Sequence, residues 1–120
     1  MTKYGFTDAA WKAAKREVRD ILIKRAKIRG MIPYSELASQ IKSINVEAHD
    51  QRFFHLIGEI STEENAAGHG MLSVIVVHKS DDMKPGPGFF ELAKELGRDT
   101  SDILACWIKE LNKVHAYWST

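Results

Sequence analysis

Cysteine occurs once in the 120 residues, at Cys106. This excludes an internal disulfide framework and fits a reducing cytoplasm, where thiols stay free. There is no run of about 18 apolar residues, so no membrane-spanning helix and no membrane partner are expected. The first 25 residues carry charge throughout, in place of the apolar centre of a secretory signal. Catalytic signatures are scarce as well. Ser73 sits in no Gly-x-Ser-x-Gly elbow, although His78 and Glu59 could in principle serve as base and orienting acid. Gly86-Pro87-Gly88 has no following lysine and no strand-turn-helix context, which removes a phosphate loop. His55 and Glu59 lie four apart, and His69 and His78 could approach them, but the set lacks a close-spaced zinc signature such as His-Glu-x-x-His. No enzyme activity, metal or cofactor is therefore expected. Cys106, between Leu104 and Trp107, reads as a small buried thiol.

What the sequence does contain is a hydrophobic fraction of 44% and a charged fraction of 28%, suited to a single domain over residues 1–120. Its formal net charge of +1 hides a division. Residues 1–30 hold nine Lys/Arg against three Asp/Glu, and residues 31–120 hold eight against thirteen. Such asymmetry points to an acidic partner for the front of the chain. Thr7-Asp8 can cap a helix that runs to Gly30, with Trp11, Ala14, Val18, Ile21, Leu22 and Ile28 at three- and four-residue steps. The rest of that helix is basic, through Lys12, Lys15, Arg16, Arg19, Lys24, Arg25, Lys27 and Arg29. A basic amphipathic helix of this kind has three readings: a solvated face, a phosphate-facing stripe or a membrane-surface helix.

Beyond it, Met31 to Tyr34 reads as a brief extended piece and Ser35 opens a helix of about ten residues, with Leu37, Ala38, Ile41 and Ile44 inward. After a loop over Asn45 to Asp50, the spacing of Phe53, Phe54, Ile57 and Ile60 predicts a helix over 50–66, ended by Ala66-Ala67-Gly68-His69-Gly70. Met71 to His78 is rich in β-branched residues and predicts a strand. Lys79 to Asp82 then turns, Pro85-Gly86-Pro87-Gly88 opposes helix, and Phe89-Phe90 reads as a short return strand. A short helix from Glu91 to Leu96 is closed by Gly97, and a last helix begins at Asp99-Thr100-Ser101 with Leu104, Trp107, Ile108, Leu111, Val114 and Trp118 on its apolar side. The order predicts a mainly helical α+β domain. In detail it is a winged helix-turn-helix with a β-hairpin and a long C-terminal helix, divided into a basic helix (1–30), a core (31–97) and a C-terminal helix (98–120).

Residues 31–97 carry a resemblance. Ile32-Pro33-Tyr34-Ser35-Glu36-Leu37-Ala38 is similar to the Thr-Tyr-Gly-Glu-Leu-Ala type of segment that opens the DNA-binding domain of O6-alkylguanine-DNA alkyltransferases. His55-Leu56-Ile57-Gly58 stands where that family has Arg-Ala-Val-Gly. With one residue inserted, Asn65 falls near its asparagine hinge and Leu72 to Val77 falls on Pro-Cys-His-Arg-Val-Val. Gly86-Pro87-Gly88-Phe89-Phe90 resembles the Gly-Gly-Tyr turn that follows. The resemblance implies a winged helix whose recognition helix enters the minor groove. It also implies a tyrosine that rotates a phosphate and an arginine that fills the vacated base stack, an extrusion costing roughly a few kcal/mol.

On that resemblance Tyr34 is the tyrosine, His55 stands at the arginine position with Arg52 one turn earlier, and Ser73 replaces the nucleophilic cysteine. Alkyl transfer to sulfur is thereby excluded, and the nearest relatives in logic are the cysteine-less alkyltransferase-like proteins, which sense lesions without repairing them. The helix over 50–66 carries Asp50, Glu59, Glu63 and Glu64 against Arg52 alone, the wrong sign for phosphates. Phosphates would instead meet Lys12, Lys15, Arg16 and Arg19 on the first helix and Lys79 and Lys84 on the wing. The expected function is non-enzymatic binding of double-stranded DNA. The alternative is a protein-interaction module or homodimer using Trp107, Tyr117 and Trp118 of the last helix.

Overall fold

The computed structural model describes residues 2–79 and 85–119. It opens with a feature the sequence reading passed over: Thr2–Lys3 (β1) and Phe6–Thr7 (β2) pair antiparallel, Thr2 opposite Thr7. Tyr4 and Gly5 make the two-residue turn, both at positive φ (54° and 85°), the backbone twist that tight hairpins need. Thr7 then caps α1, Asp8–Lys27, by accepting a hydrogen bond from the Ala10 amide at 3.1 Å. Trp11, Ala14, Val18, Leu22 and Ala26 form its buried stripe. The helix is stopped by Arg29, not Gly30. Arg29 takes the left-handed conformation (φ 54°), its amide bonds to the Ala26 carbonyl, and the Gly30 amide reaches back to the Arg25 carbonyl. Gly30 has a different use, because a Cβ there would lie 2.8 Å from the Arg25 side chain, which folds across it.

Ile32–Pro33 (β3) leads directly into α2, Tyr34–Ser39. The helix is shorter than the expected ten residues for a reason outside it. The Glu17 carboxylate of α1 accepts from the Lys42 and Ser43 amides and the Ser43 hydroxyl, holding that stretch irregular while Ile41, Ile44 and Val46 still reach the core. Asp50 caps α3, Gln51–Ala66, which buries Phe53, Ile57 and Ile60 as expected, with Leu56 in addition, while Phe54 is only half-buried.

The expected strand over Met71 to His78 is mostly something else. Leu72–Ile75 form a 3₁₀ turn and only Val76–Val77 (β4) is strand, pairing parallel with β3. Every residue from Met71 to Val77 is buried. A short β-branched run signals burial on all sides, and here α1, α3 and α5 supply the surroundings that a sheet would otherwise have given. The expected return strand is also corrected. Phe89 and Phe90 belong to α4, Pro87–Glu95, in which proline occupies the first turn and Gly86 the cap. Proline opposes a helix interior, yet its fixed φ suits the helix start. No β-hairpin follows β4 among the described residues, and the turn expected at 79–82 lies largely outside them.

α5, Ile103–Trp118, is capped by Asp102, whereas Asp99 takes the Ser101 amide and hydroxyl. Its buried face is rotated from the expected one: Cys106, Glu110, Val114 and His115 face inward, while Leu104 and Ile108 are exposed. Burial, with the nearby Glu110 carboxylate, pushes the Cys106 thiol up and keeps it protonated. The architecture is mainly helical α+β, with one hydrophobic cluster running from Trp11 to Val114 around the 3₁₀ turn. Among the described residues no helix is long and apolar enough to cross a membrane.

Candidate functional site

Pro33 and the β3–β4 pairing set Tyr34 at the first position of α2, where its ring is buried between α3 and the chain leaving β4. Its hydroxyl oxygen accepts from the Gly86 amide at 3.2 Å, its ring lies 4.8 Å from His78, and it meets the edge of Phe54 at 5.7 Å. Gly86 permits this approach, because a Cβ there would stand 2.8 Å from His78 Nε2. Burial pushes the Tyr34 phenol up, against the smaller opposing effect of the Gly86 amide, so it remains a neutral hydroxyl at pH 7.

These groups form one wall of a pocket of about 780 Å³. On the α3 side His55 faces it, exposed, with Tyr4 of the hairpin stacked on it; on the α4 side stand Phe89, Glu91 and Glu95. Ser73 reaches the floor, but its hydroxyl donates to Ser61 Oγ at 2.8 Å and its amide points to the same oxygen at 3.3 Å. That hydroxyl has no histidine or carboxylate partner among the described residues. A nucleophile needs such a base, and the conceivable partners are engaged elsewhere: His78 on Tyr34, and Glu59 with Trp11, Lys3 and Lys15.

The acidic side of α3 meets the basic side of α1. Lys3 lies 2.8 Å and Lys15 3.3 Å from Glu59, Lys15 and Arg19 both bond Glu63, and Arg19 also approaches Glu64 at 3.3 Å. Partial burial pushes the Glu59 carboxyl up, but donors from Lys3, Trp11 and Lys15 outweigh it and hold the group below the ordinary carboxylate range. Glu63 behaves alike, with burial opposed by Lys15 and Arg19.

The expected DNA contacts therefore divide. Tyr34, His55 and Ser73 converge on the pocket. Lys12 and Arg16 are exposed on α1 with no ion pair among the described residues, and Lys79 is exposed beyond β4. Lys15 and Arg19 are ion-paired with Glu59, Glu63 and Glu64 across the α1–α3 contact. Arg52 is held by Asp50 at 2.7 Å, lies over the Phe6 ring at 4.5 Å and stands apart from the residues that line the pocket. Lys84 lies outside the described residues. On α5 the tryptophans are not free anchors: Trp107 is half-buried and donates to the Val74 carbonyl, and Trp118 is half-buried beside His69.

The sequence reading missed Tyr4, Phe54, Glu91 and Glu95 as pocket residues. The Tyr4-Gly5 turn was the signal for the first; the two glutamates required knowing that 87–95 is a helix. Among the described residues no group of three or more His, Cys, Asp or Glu is arranged to hold a metal ion. Compared with protein-family models, curated proteins and solved structures, the chain matches none.

Proposed function

We propose that this chain binds double-stranded DNA without catalysis, as a helix-turn-helix protein of the winged type, and receives a base turned out of the duplex in the pocket between α3 and α4. The carrying observation is that Tyr34, His55, Ser73, Gly86 and Phe89, which the resemblance to alkyltransferase DNA-binding domains singled out, line one pocket despite their separation along the chain. Base extrusion costs roughly a few kcal/mol, and aromatic rings that can stack on the extruded base offset it. Ser73, bonded to Ser61, supplies no nucleophile, which favours sensing over repair. The acidic character of α3 is a weaker objection than its sequence implies, because Lys3 of β1 and Lys15 and Arg19 of α1 neutralise Glu59 and Glu63 locally. Phosphates would meet Lys12 and Arg16 on the exposed side of α1 and Lys79 beyond β4.

Fluorescence anisotropy with a short duplex, at salt from about 50 to 200 mM, tests this reading, since log affinity falls by about 0.9 per phosphate neutralised for each unit of log salt. Lys12→Ala and Arg16→Ala should each reduce that slope by about 1 and weaken all sequences alike. Absence of binding at low salt to both plain and alkyl-damaged duplex overturns the proposal.

A second reading, self-association through α5, is favoured by one observation: Ile103, Leu104 and Ile108 lie 45–50% exposed on the same helix. Single exposed apolar residues are ordinary, whereas three within two turns form a surface that a second copy of the chain could cover.

A further inference from the structure

The outer face of α5 carries a charge pattern as well as exposed aliphatic side chains. The helix buries Cys106, Glu110 and Val114 on one side, which at 3.6 residues per turn leaves Leu104, Ala105, Ile108, Lys109 and Asn112 turned away from the core. Leu104 and Ile108 are 47% and 45% exposed and stand one turn apart. The exposed residue between them on the helix surface is Ala105, whose small side chain lets another helix come close. Charge is divided along the same face. Asp99 and Asp102 lie at its N-terminal end, Lys109 and Lys113 in its C-terminal half, and all four are exposed. Neither lysine has a carboxylate within ion-pair distance among the described residues.

A face that is acidic at one end, aliphatic in the middle and basic at the other complements a copy of itself turned end for end. Two-fold symmetry requires such self-complementarity, because a contact from one residue to a second is repeated from the second to the first. Laying α5 antiparallel to its copy with Leu104 against the copy's Ile108 brings Asp102 beside Lys109 and Asp99 beside Lys113, each twice. A parallel pairing in register would set Lys109 against Lys109 and Asp102 against Asp102, and like charges repel. Resting on the self-association reading given above, we propose that α5 pairs antiparallel with α5 of a second copy about a two-fold axis beside Ala105, with Asp102 facing Lys109 across it. One helix per chain makes a small interface, below about 1,200 Å² in total, so the dimer forms and parts with concentration.

Sedimentation velocity of the full chain over rising concentration reads this equilibrium, at about 50 mM salt to limit screening. Lys109→Glu makes both end contacts repulsive and should weaken the dimer at least fivefold, with an unchanged melting temperature because the side chain is exposed. In an Asp102→Ser background, which removes the facing charge and keeps a capping hydroxyl, the same change should cost about twofold or less. Mixing the unmodified chain with Lys109→Glu distinguishes the two orientations. The antiparallel dimer predicts a mixed species of intermediate affinity, whereas a parallel one predicts a mixed species tighter than either parent. Dimers that ignore Lys109→Glu, an equal loss in both backgrounds, or a mixed species tighter than both parents overturn the antiparallel register and leave self-association through α5 standing. Assemblies larger than a dimer also overturn it, since a two-fold contact closes at two copies. A chain that stays monomeric at every concentration overturns both.

Discussion

Tyr4 lies flat on His55, ring centroids 4.8 Å apart and planes 8° from parallel, and also meets Trp11 at 5.1 Å. The contact joins the N-terminal hairpin to α3 at the pocket edge, and Lys3 on Glu59 repeats the join one residue away. Tyr4 thus covers one face of the His55 ring, and the hairpin borders the pocket at that point.

Gly5 is the residue on which that placement depends. Its φ of 85° is open to glycine and strained for alanine, while a Cβ would meet only Arg52 Nη1, at 4.0 Å. Gly5→Ala should therefore cost about 1–2 kcal/mol through the backbone alone, and Tyr4→Ala about 0.5–1.5 kcal/mol through the lost stacking. Urea unfolding measures both. An unchanged midpoint in both variants would mean that the hairpin is not held against α3.

Glu110 is 4% exposed, and its carboxylate takes three donors: Arg98 Nε at 2.9 Å, Arg98 Nη2 at 3.0 Å and the Met71 amide at 2.8 Å. Arg98 Nη2 also donates to Asn65 Oδ1 at 2.6 Å, so the cluster ties α3, the start of the 3₁₀ turn and α5 together. Removing one partner of a buried pair leaves the other uncompensated, at about 3–5 kcal/mol. Glu110→Ala is expected to lose that much in urea unfolding, and Glu110→Gln less, since an amide oxygen can still accept from Met71. A loss below about 1 kcal/mol in Glu110→Ala would show the pair to be solvent-screened.

Much of this was legible in the sequence because periodicity and capping residues act locally. Thr7 with Trp11, Ala14, Val18 and Leu22 marked α1, although Ile28 is exposed past its end and Ala26 completes the stripe, and Asp50 with Phe53, Ile57 and Ile60 marked α3. The failures were tertiary. Val74 to Val77 look like a strand because β-branched residues tolerate burial on every side, and only β3, far upstream, decides that Val76 and Val77 alone pair. Pro87 and Gly88 look like a helix stop until Pro87 is seen to occupy the first turn. The pocket was half legible: Tyr34, His55 and Ser73 were marked by resemblance, whereas Glu91 and Glu95 entered only through the helix that replaced the expected return strand.

Acid should unfold this protein through its carboxylates. Burial pushes Glu110 up, but Arg98, the Met71 amide and the Lys113 charge outweigh it, and Glu17, Glu59 and Glu63 are likewise held low by their donors despite burial. Each is more acidic folded than unfolded, so below the unfolded value, about 4.3 for glutamate, the unfolded chain binds more protons. The stability they supply is complete above that pH and is lost as pH falls through their folded values. Urea midpoints from pH 7 down to 2 should stay level to about pH 5 and then drop steeply. A midpoint unchanged at pH 3 would contradict this, and Glu110→Gln should flatten part of the drop.

The exposed face of α5 separates stability from association. Leu104 and Ile108 are 47% and 45% exposed, so Leu104→Ser and Ile108→Ser remove little buried area and should shift folding stability by no more than about 0.5 kcal/mol each. Their effect on a second copy of the chain would be larger, because an interface loses its centre when two neighbouring aliphatic anchors become polar. Sedimentation velocity over rising protein concentration should show an average coefficient that climbs for the unmodified chain and stays flat for the double variant. The unmodified chain remaining monomeric throughout that range would remove self-association through α5 and leave the exposed aliphatic residues as ordinary surface.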